Sequence, residues 1–293
     1  MRHITRKMIR TAALLALLLA PIGVAQDLPR FLEVATAGTG GAYYPIGVAM
    51  ADVLSRNLDT QATAQVTGGA VANVQLVQEG AATIALTQSA SAFNGFQGNE
   101  PFDAPKDRVR ALFGSLTRGV FQIAVRDGAN IETLDDLRGK RVGLGPAGGS
   151  GIELATYVFE AAGFGIDDVR ASFTSYDEAA TALGDGNLDA LVVQTAIPNP
   201  ALAQLEATGK SFTLLSLPDD VRTAVNEVHP YFALMTVSAG TYGGENDVTT
   251  LYGANMVIVD RDLSEDAVYL ITKTLFENID AIRASHPAAS GLT

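Results

Sequence analysis

The chain is expected to fold as an α/β protein with mainly parallel strands, because short apolar runs alternate with amphipathic stretches along nearly all of its 293 residues. Two glycine-rich turns support this, since each links an apolar run to an amphipathic stretch: Gly38, Gly40 and Gly41 follow residues 31–34, and Gly145, Gly148, Gly149 and Gly151 follow residues 141–144. Strands are expected at 31–35, 64–66, 84–87, 110–114, 121–125, 141–144, 171–174, 190–193, 212–215 and 256–259, with helices between them. Ser175 followed by Glu178 forms a capping box for a helix over 176–183, and Ser264 followed by Glu265 and Asp266 opens the last helix with acids on its positive end. Residues 94–107 and 240–247, rich in Gly and polar residues, are expected as surface loops.

Composition excludes several function classes. Arg2, Arg6, Lys7 and Arg10 precede an apolar run over 12–20 and then Gly23-Val24-Ala25, so residues 1–25 are expected to be a secretory leader cleaved after Ala25. That run, closed by Pro21, falls short of the ~20 residues needed to span a bilayer, so no membrane insertion is expected after cleavage. The chain has no cysteine, which excludes a lipid anchor on a cysteine, a disulfide scaffold, a thiol nucleophile and cysteine-bound zinc. His229 and His286 stand in no metal-ligand spacing, and neither a metal nor a cofactor is expected. Removing the leader's four basic residues takes the formal charge from −12 to −16, a surface that repels nucleic acid and anionic lipid headgroups. A freely diffusing, monomeric exported protein is the expectation.

The glycine turns are the candidate binding elements. Gly38, Gly40 and Gly41 permit close backbone approach, and the first N–H groups of the following helix point toward whatever occupies the turn. Tyr43 and Tyr44 stand at its mouth, and Thr39 and Ser150 add hydroxyls to the backbone donors, a combination suited to a carboxylate. Gly143, Gly145 and Gly148 spell the dinucleotide fingerprint. Asp167 and Asp168, however, precede the next expected strand instead of ending it, which argues against that reading. Gly149-Ser150-Gly151 is no nucleophile elbow, since Ile152 stands where the second glycine belongs; a triad assembled in space stays open. Gly69 precedes a helix over 71–79, and Asn73 either meets a ligand or caps its own helix. Gln88 ends an apolar run, and the carboxyl ends of strands are where open α/β sheets hold ligands. Arg118 stands either against a ligand carboxylate or in an ion pair. The candidate set is therefore Thr39, Gly40, Gly41, Tyr43, Tyr44, Gly69, Asn73, Gln88, Ser150 and Gly151, with no catalytic residue among them.

Thr36-Ala-Gly-Thr-Gly-Gly-Ala-Tyr-Tyr-Pro45 resembles the opening signature of the TAXI solute receptors of TRAP-type transporters. Thr67-Gly-Gly-Ala-Val-Ala-Asn73, Asp136-Leu-Arg-Gly-Lys-Arg-Val-Gly-Leu-Gly-Pro-Ala-Gly-Gly-Ser-Gly151 and Asp185-Gly-Asn-Leu-Asp-Ala190 with Pro198 follow in the order and rough spacing of that family. The resemblance implies a periplasmic binding protein of type II topology, with two α/β lobes joined by a two-segment hinge and a ligand cleft between them. It implies crossings near Arg118 and Tyr231, hence one lobe from 26–117 and 232–293 and another from 118–231. It further implies a receptor, not an enzyme, that closes over a small carboxylate such as glutamate or 2-oxoglutarate and delivers it to an ion-gradient-driven TRAP-type permease. Two departures stand out. Ala90 occupies a position where family members often carry an acid, and relatives continue through a further proline- and histidine-containing segment after His286-Pro287. An exported α/β hydrolase using the same cleft and a ligand-sensing receptor domain remain the competing readings.

Overall fold

The computed structural model describes residues 28–292, so the expected leader lies outside the described residues. The strands are β1 (Phe31–Ala35), β2 (Gln61–Gln65), β3 (Ile84–Gln88), β4 (Val109–Phe113), β5 (Arg118–Arg126), β6 (Arg141–Gly143), β7 (Arg170–Ser172), β8 (Ala190–Thr195), β9 (Phe212–Leu214), β10 (Phe232–Val237) and β11 (Val248–Asp260). The helices are α1 (Tyr43–Asn57), α2 (Ala70–Gln78), α3 (Ser89–Gln97), α4 (Ser150–Ala161), α5 (Tyr176–Gly184), α6 (Pro200–Ala207), α7 (Asp219–Val228), α8 (Glu265–Glu277) and α9 (Ile279–Arg283).

Local chemistry accounts for these elements. Every residue of β3 and β8 is buried, as expected of strands covered by helices on both faces, whereas edge strand β2 alternates exposed and half-buried positions. Ile46, Met50, Val53 and Leu54 recur at helical spacing and form the buried face of α1. The Ser175–Glu178 capping box opens α5, Asn199 caps α6 with Pro200 in its first turn, and Ser264 caps α8.

The strands form two lobes with one shared order. In the first, β2, β1 and β3 run parallel and are followed by antiparallel β11 and then β4. In the second, β7, β6 and β8 run parallel and are followed by antiparallel β5 and then β9. In both cases the fourth strand of the row belongs to a segment that crosses between the lobes. β5 and β11 pair antiparallel at residues 118–120 and 252–254, joining the two halves. Each sheet carries apolar clusters of its own: Leu32, Ile46 and Met50 belong to the first lobe's core, and Phe121, Phe159 and Val192 to the second's.

Two expectations need correction. Residues 94–107 are not wholly a surface loop, because Asn94 to Gln97 complete α3 and Phe102 is buried against Val74 and Val77. Residues 232–237 and 248–255 were expected outside the strands, yet they build β10 and the first half of β11. Tyr231 stands at the start of β10, and β10 pairs throughout with the same half of β11 that pairs with β5.

Candidate functional site

The shared order of the lobes places the carboxyl ends of β1, β2 and β3 opposite those of β6, β7 and β8. The turns that follow them meet. From the first lobe, the Ala42 N–H donates to Thr195 Oγ1 at 3.2 Å, and the Gly40 carbonyl accepts from Asn199 Nδ2 at 2.7 Å. Thr39 Oγ1 donates to Asp177 Oδ2 at 2.8 Å on the exposed rim. From the second lobe, the Gly148 carbonyl accepts from the Val71 and Ala72 N–H groups at 3.0 and 3.1 Å.

Glycine makes this approach feasible. A Cβ on Gly148 would lie 2.7 Å from the Ala72 Cβ, and one on Gly68 would lie 3.2 Å from the Gly148 Cα. Gly69 adopts φ +112° beside Gly149, a conformation L side chains rarely take. The fingerprint-like glycines of the second lobe have separate packing roles. A Cβ on Gly143 would strike Leu188, and one on Gly145, at φ +77°, would strike the Tyr176 ring.

Between the turns lies a cavity of about 30 Å³. Its wall includes the starts of four helices: Ala42 and Tyr43 of α1, Gly69 and Ala70 of α2, Gly149 and Ser150 of α4, and Tyr176 of α5. The first three helices have no side-chain N-cap; the Gly148 carbonyl takes the Val71 and Ala72 N–H groups of α2 and Thr195 takes that of Ala42 before α1, and the other leading N–H groups must find partners elsewhere. No charged side chain lines the cavity, and the positive ends of the helix dipoles set its electrostatics. Gln194 lines it too, and its Oε1 is buried without a hydrogen-bond partner among the described residues, as is Ser89 Oγ at the start of α3.

The two wall tyrosines are neutral. Burial pushes Tyr43 well above the ordinary phenol range, and its hydroxyl donates to Asn255 Oδ1 at 2.7 Å. Burial pushes Tyr176 up to about 12, and its oxygen accepts from the Gln194 N–H at 3.1 Å.

Of the residues singled out from sequence, Gly41, Tyr43, Gly69 and Ser150 come together on this cavity. The others lie around it. Thr39 and Gly40 join the lobes at the rim, and Gly151 packs under Tyr176. Tyr44 is half-buried and Arg118 exposed, and neither lines the cavity. The Asn73 side chain donates to the Thr36 and Leu86 carbonyls at 2.6 Å each and accepts from Thr67 Oγ1 at 2.7 Å, bracing β1 against β3. Gln88 sits at the strand crossing, where its Oε1 accepts from Gln194 Nε2 at 3.1 Å. Arg118, with its guanidinium 5.2 Å from the Tyr252 ring centre, borders a separate groove of about 530 Å³ formed with Ile197, Met235 and Pro287–Gly291. Neither glycine turn reaches that groove.

Sequence reading missed Tyr176, Gln194, Thr195 and Asn199. The available signal was position: Gln194 and Thr195 end an apolar run as Thr87 and Gln88 do, so the repeated strand order puts both pairs at the cleft.

The NMT1-like family matches residues 34–293. The chain belongs to that family. Among solved structures it is similar to the periplasmic aliphatic sulphonate binding protein SsuA from Escherichia coli, at 16% identity and a TM-score of 0.51, covering 88% of this chain and 74% of that one. It is similar to the binding protein component of an ABC phosphonate transporter from Pseudomonas aeruginosa, at 11% identity and a TM-score of 0.55, covering 87% and 77%. PhnD1 from Prochlorococcus marinus, solved with methylphosphonate, matches at 14% identity and a TM-score of 0.51, covering 86% and 84%. At these identities the likeness concerns fold: this NMT1-like chain has the two-lobed architecture of periplasmic binding proteins. Among the described residues no helix is long and apolar enough to cross a membrane.

Proposed function

We propose that this NMT1-like protein is a periplasmic solute receptor that captures a small organic anion by lobe closure and passes it unchanged to a membrane transporter. The observation carrying this reading is the convergence of three helix starts without side-chain caps, from both lobes, on a cavity with no charged side chain. Such a site holds an anion through backbone N–H groups and helix dipoles. The similar binding proteins, whose names refer to sulphonates and phosphonates, support an oxyanion.

Ligand entry requires the lobes to move apart, because a cavity of about 30 Å³ has room for one or two waters. We place the lobe crossings at 114–118 and at Ala254–Asn255, where β11 exchanges β5 for β3 as its partner; the return is thus later than the neighbourhood of Tyr231. Closure then follows from contacts that exist only when the turns meet, and the ligand shifts the equilibrium by its differential affinity.

The resemblance to TAXI receptors favours a carboxylate ligand, such as glutamate or 2-oxoglutarate, and a TRAP-type permease. Calorimetric titration with small carboxylates, sulphonates and phosphonates tests this. Micromolar binding of a carboxylate, recovered unchanged by mass spectrometry, is expected. Binding of sulphonates or phosphonates alone would replace the carboxylate, and turnover of the ligand would replace the receptor reading.

A further inference from the structure

Glu153 of α4 is 7% exposed. Its carboxylate accepts from Ser91 Oγ at 3.0 Å and from Asn94 Nδ2, both on α3 of the opposite lobe. Burial pushes its proton affinity upward against these donors, and no lysine or arginine is among the groups acting on it. A carboxylate taken out of water without a counter-charge is costly, and buried charges are ordinarily paired. This one borders a cavity of about 180 Å³ whose lining, among the described residues, includes no lysine or arginine.

Position relates this second cavity to the first. Both touch Gly149, the residue that precedes α4. Glu153 lies three residues beyond Ser150 on the same helix, which puts the two on one face with about 5–6 Å between Cβ atoms. The carboxylate itself is held by Ser91 and Asn94 of α3 and also bonds Tyr157, one turn further along α4. Tyr157, whose ring is stacked on His229, and exposed Glu100 border the same space, and Glu100 adds a second acid.

We propose that the cavity beside Glu153 is a cation subsite of the cleft, which takes an ammonium or guanidinium group of a zwitterionic ligand whose anionic group lies at the helix starts. This rests on the anion reading above and narrows it: the substrate class becomes small acids bearing an amino group. Closure places the Ser91 and Asn94 donors on the carboxylate, and the ligand cation supplies the missing charge.

Calorimetry on the purified protein with two matched pairs, L-glutamate against 2-oxoglutarate and taurine against isethionate, tests the subsite. At least one amino-bearing member should bind about tenfold or more tightly than its partner. In Glu153→Gln that preference should vanish while the affinity of the partner is kept, and in Ser91→Ala, which leaves the charge in place, the preference should persist. Equal binding within each pair, or an equal loss for both members in Glu153→Gln, overturns the subsite and leaves the anion reading standing. Failure of all four to bind overturns the carboxylate or sulphonate anion and the subsite with it. The wild-type preference decides the matter even where Glu153→Gln does not fold.

Discussion

Gly119 of β5 and Gly253 of β11 face each other across the antiparallel pair that joins the lobes, and the Gln88 side chain rests on both. A Cβ on Gly119 would lie 2.5 Å from Gln88 Nε2, and one on Gly253 would lie 2.7 Å from Gln88 Cδ. Glycine inside a strand weakens it unless something approaches the backbone closely, and here the amide does. The same amide accepts from Gln194 in the other lobe, so crossing strands and cleft are tied together. Gly253→Ala should displace Gln88 at a cost of about 1–3 kcal/mol, the usual range for overpacking. Urea unfolding and a ligand titration of this variant should show lower stability and weaker binding together.

Gly148→Ala tests closure with less disturbance of either lobe. Its Cβ would lie 2.7 Å from the Ala72 Cβ, which is fixed to backbone in the opposite lobe and has no rotamer by which to withdraw. Ligand affinity should fall about tenfold or more, equivalent to at least ~1.4 kcal/mol. Small-angle scattering with saturating ligand should give a larger radius of gyration than wild type.

Asn73→Ala separates bracing from binding. The substitution leaves the Thr36 and Leu86 carbonyls without the side-chain amide that joins them, and an unsatisfied buried polar group costs about 1–3 kcal/mol. Urea unfolding should register that loss. The affinity of the protein that remains folded should change far less than in Gly148→Ala.

Asp189 gives a pH-dependent contribution. The Arg141 guanidinium donates to Oδ2 at 3.0 Å and to Oδ1 at 2.6 Å, and Arg126 adds a further bond. These bonds, Arg141's above all, hold the Asp189 carboxyl well below the ordinary carboxylate range. The folded value is thus lower than that of the unfolded chain, near ~3.9, so the stabilisation is complete above that value and fades as pH falls toward the folded one. Asp189→Asn should cost about 1–3 kcal/mol at neutral pH, with the partial exposure of Arg141 favouring the lower end. The gap in urea midpoint between variant and wild type should narrow when measured near pH 3.

Much of the fold was legible because local chemistry agreed with tertiary structure. The apolar run at β1 has the expected bounds, and the Ser175–Glu178 box opens α5 where the sequence placed it. The first half of β11, Val-Thr-Thr-Leu-Tyr-Gly-Ala-Asn, was not legible because its Thr, Gly and Asn residues read as loop. Their fitness for a strand comes from distant partners: Gly253 accommodates Gln88, and Asn255 donates to Thr117 and accepts from Tyr43. The cleft was half legible for a related reason. Glycine turns announce themselves in sequence, whereas Tyr176, Gln194 and Thr195 become neighbours of Ser150 only through the strand order of the second lobe, and neighbours of Gly41 and Tyr43 only when the lobes meet.

The most direct measurement is a crystal structure of the protein with an anion identified by calorimetry. The ligand's anionic group is expected between the lobes, within hydrogen-bonding distance of N–H groups at the starts of α1 or α2 and of α4, with Ser150 beside it. A ligand seated instead in the groove beside Arg118, or held by one lobe alone, would contradict the account.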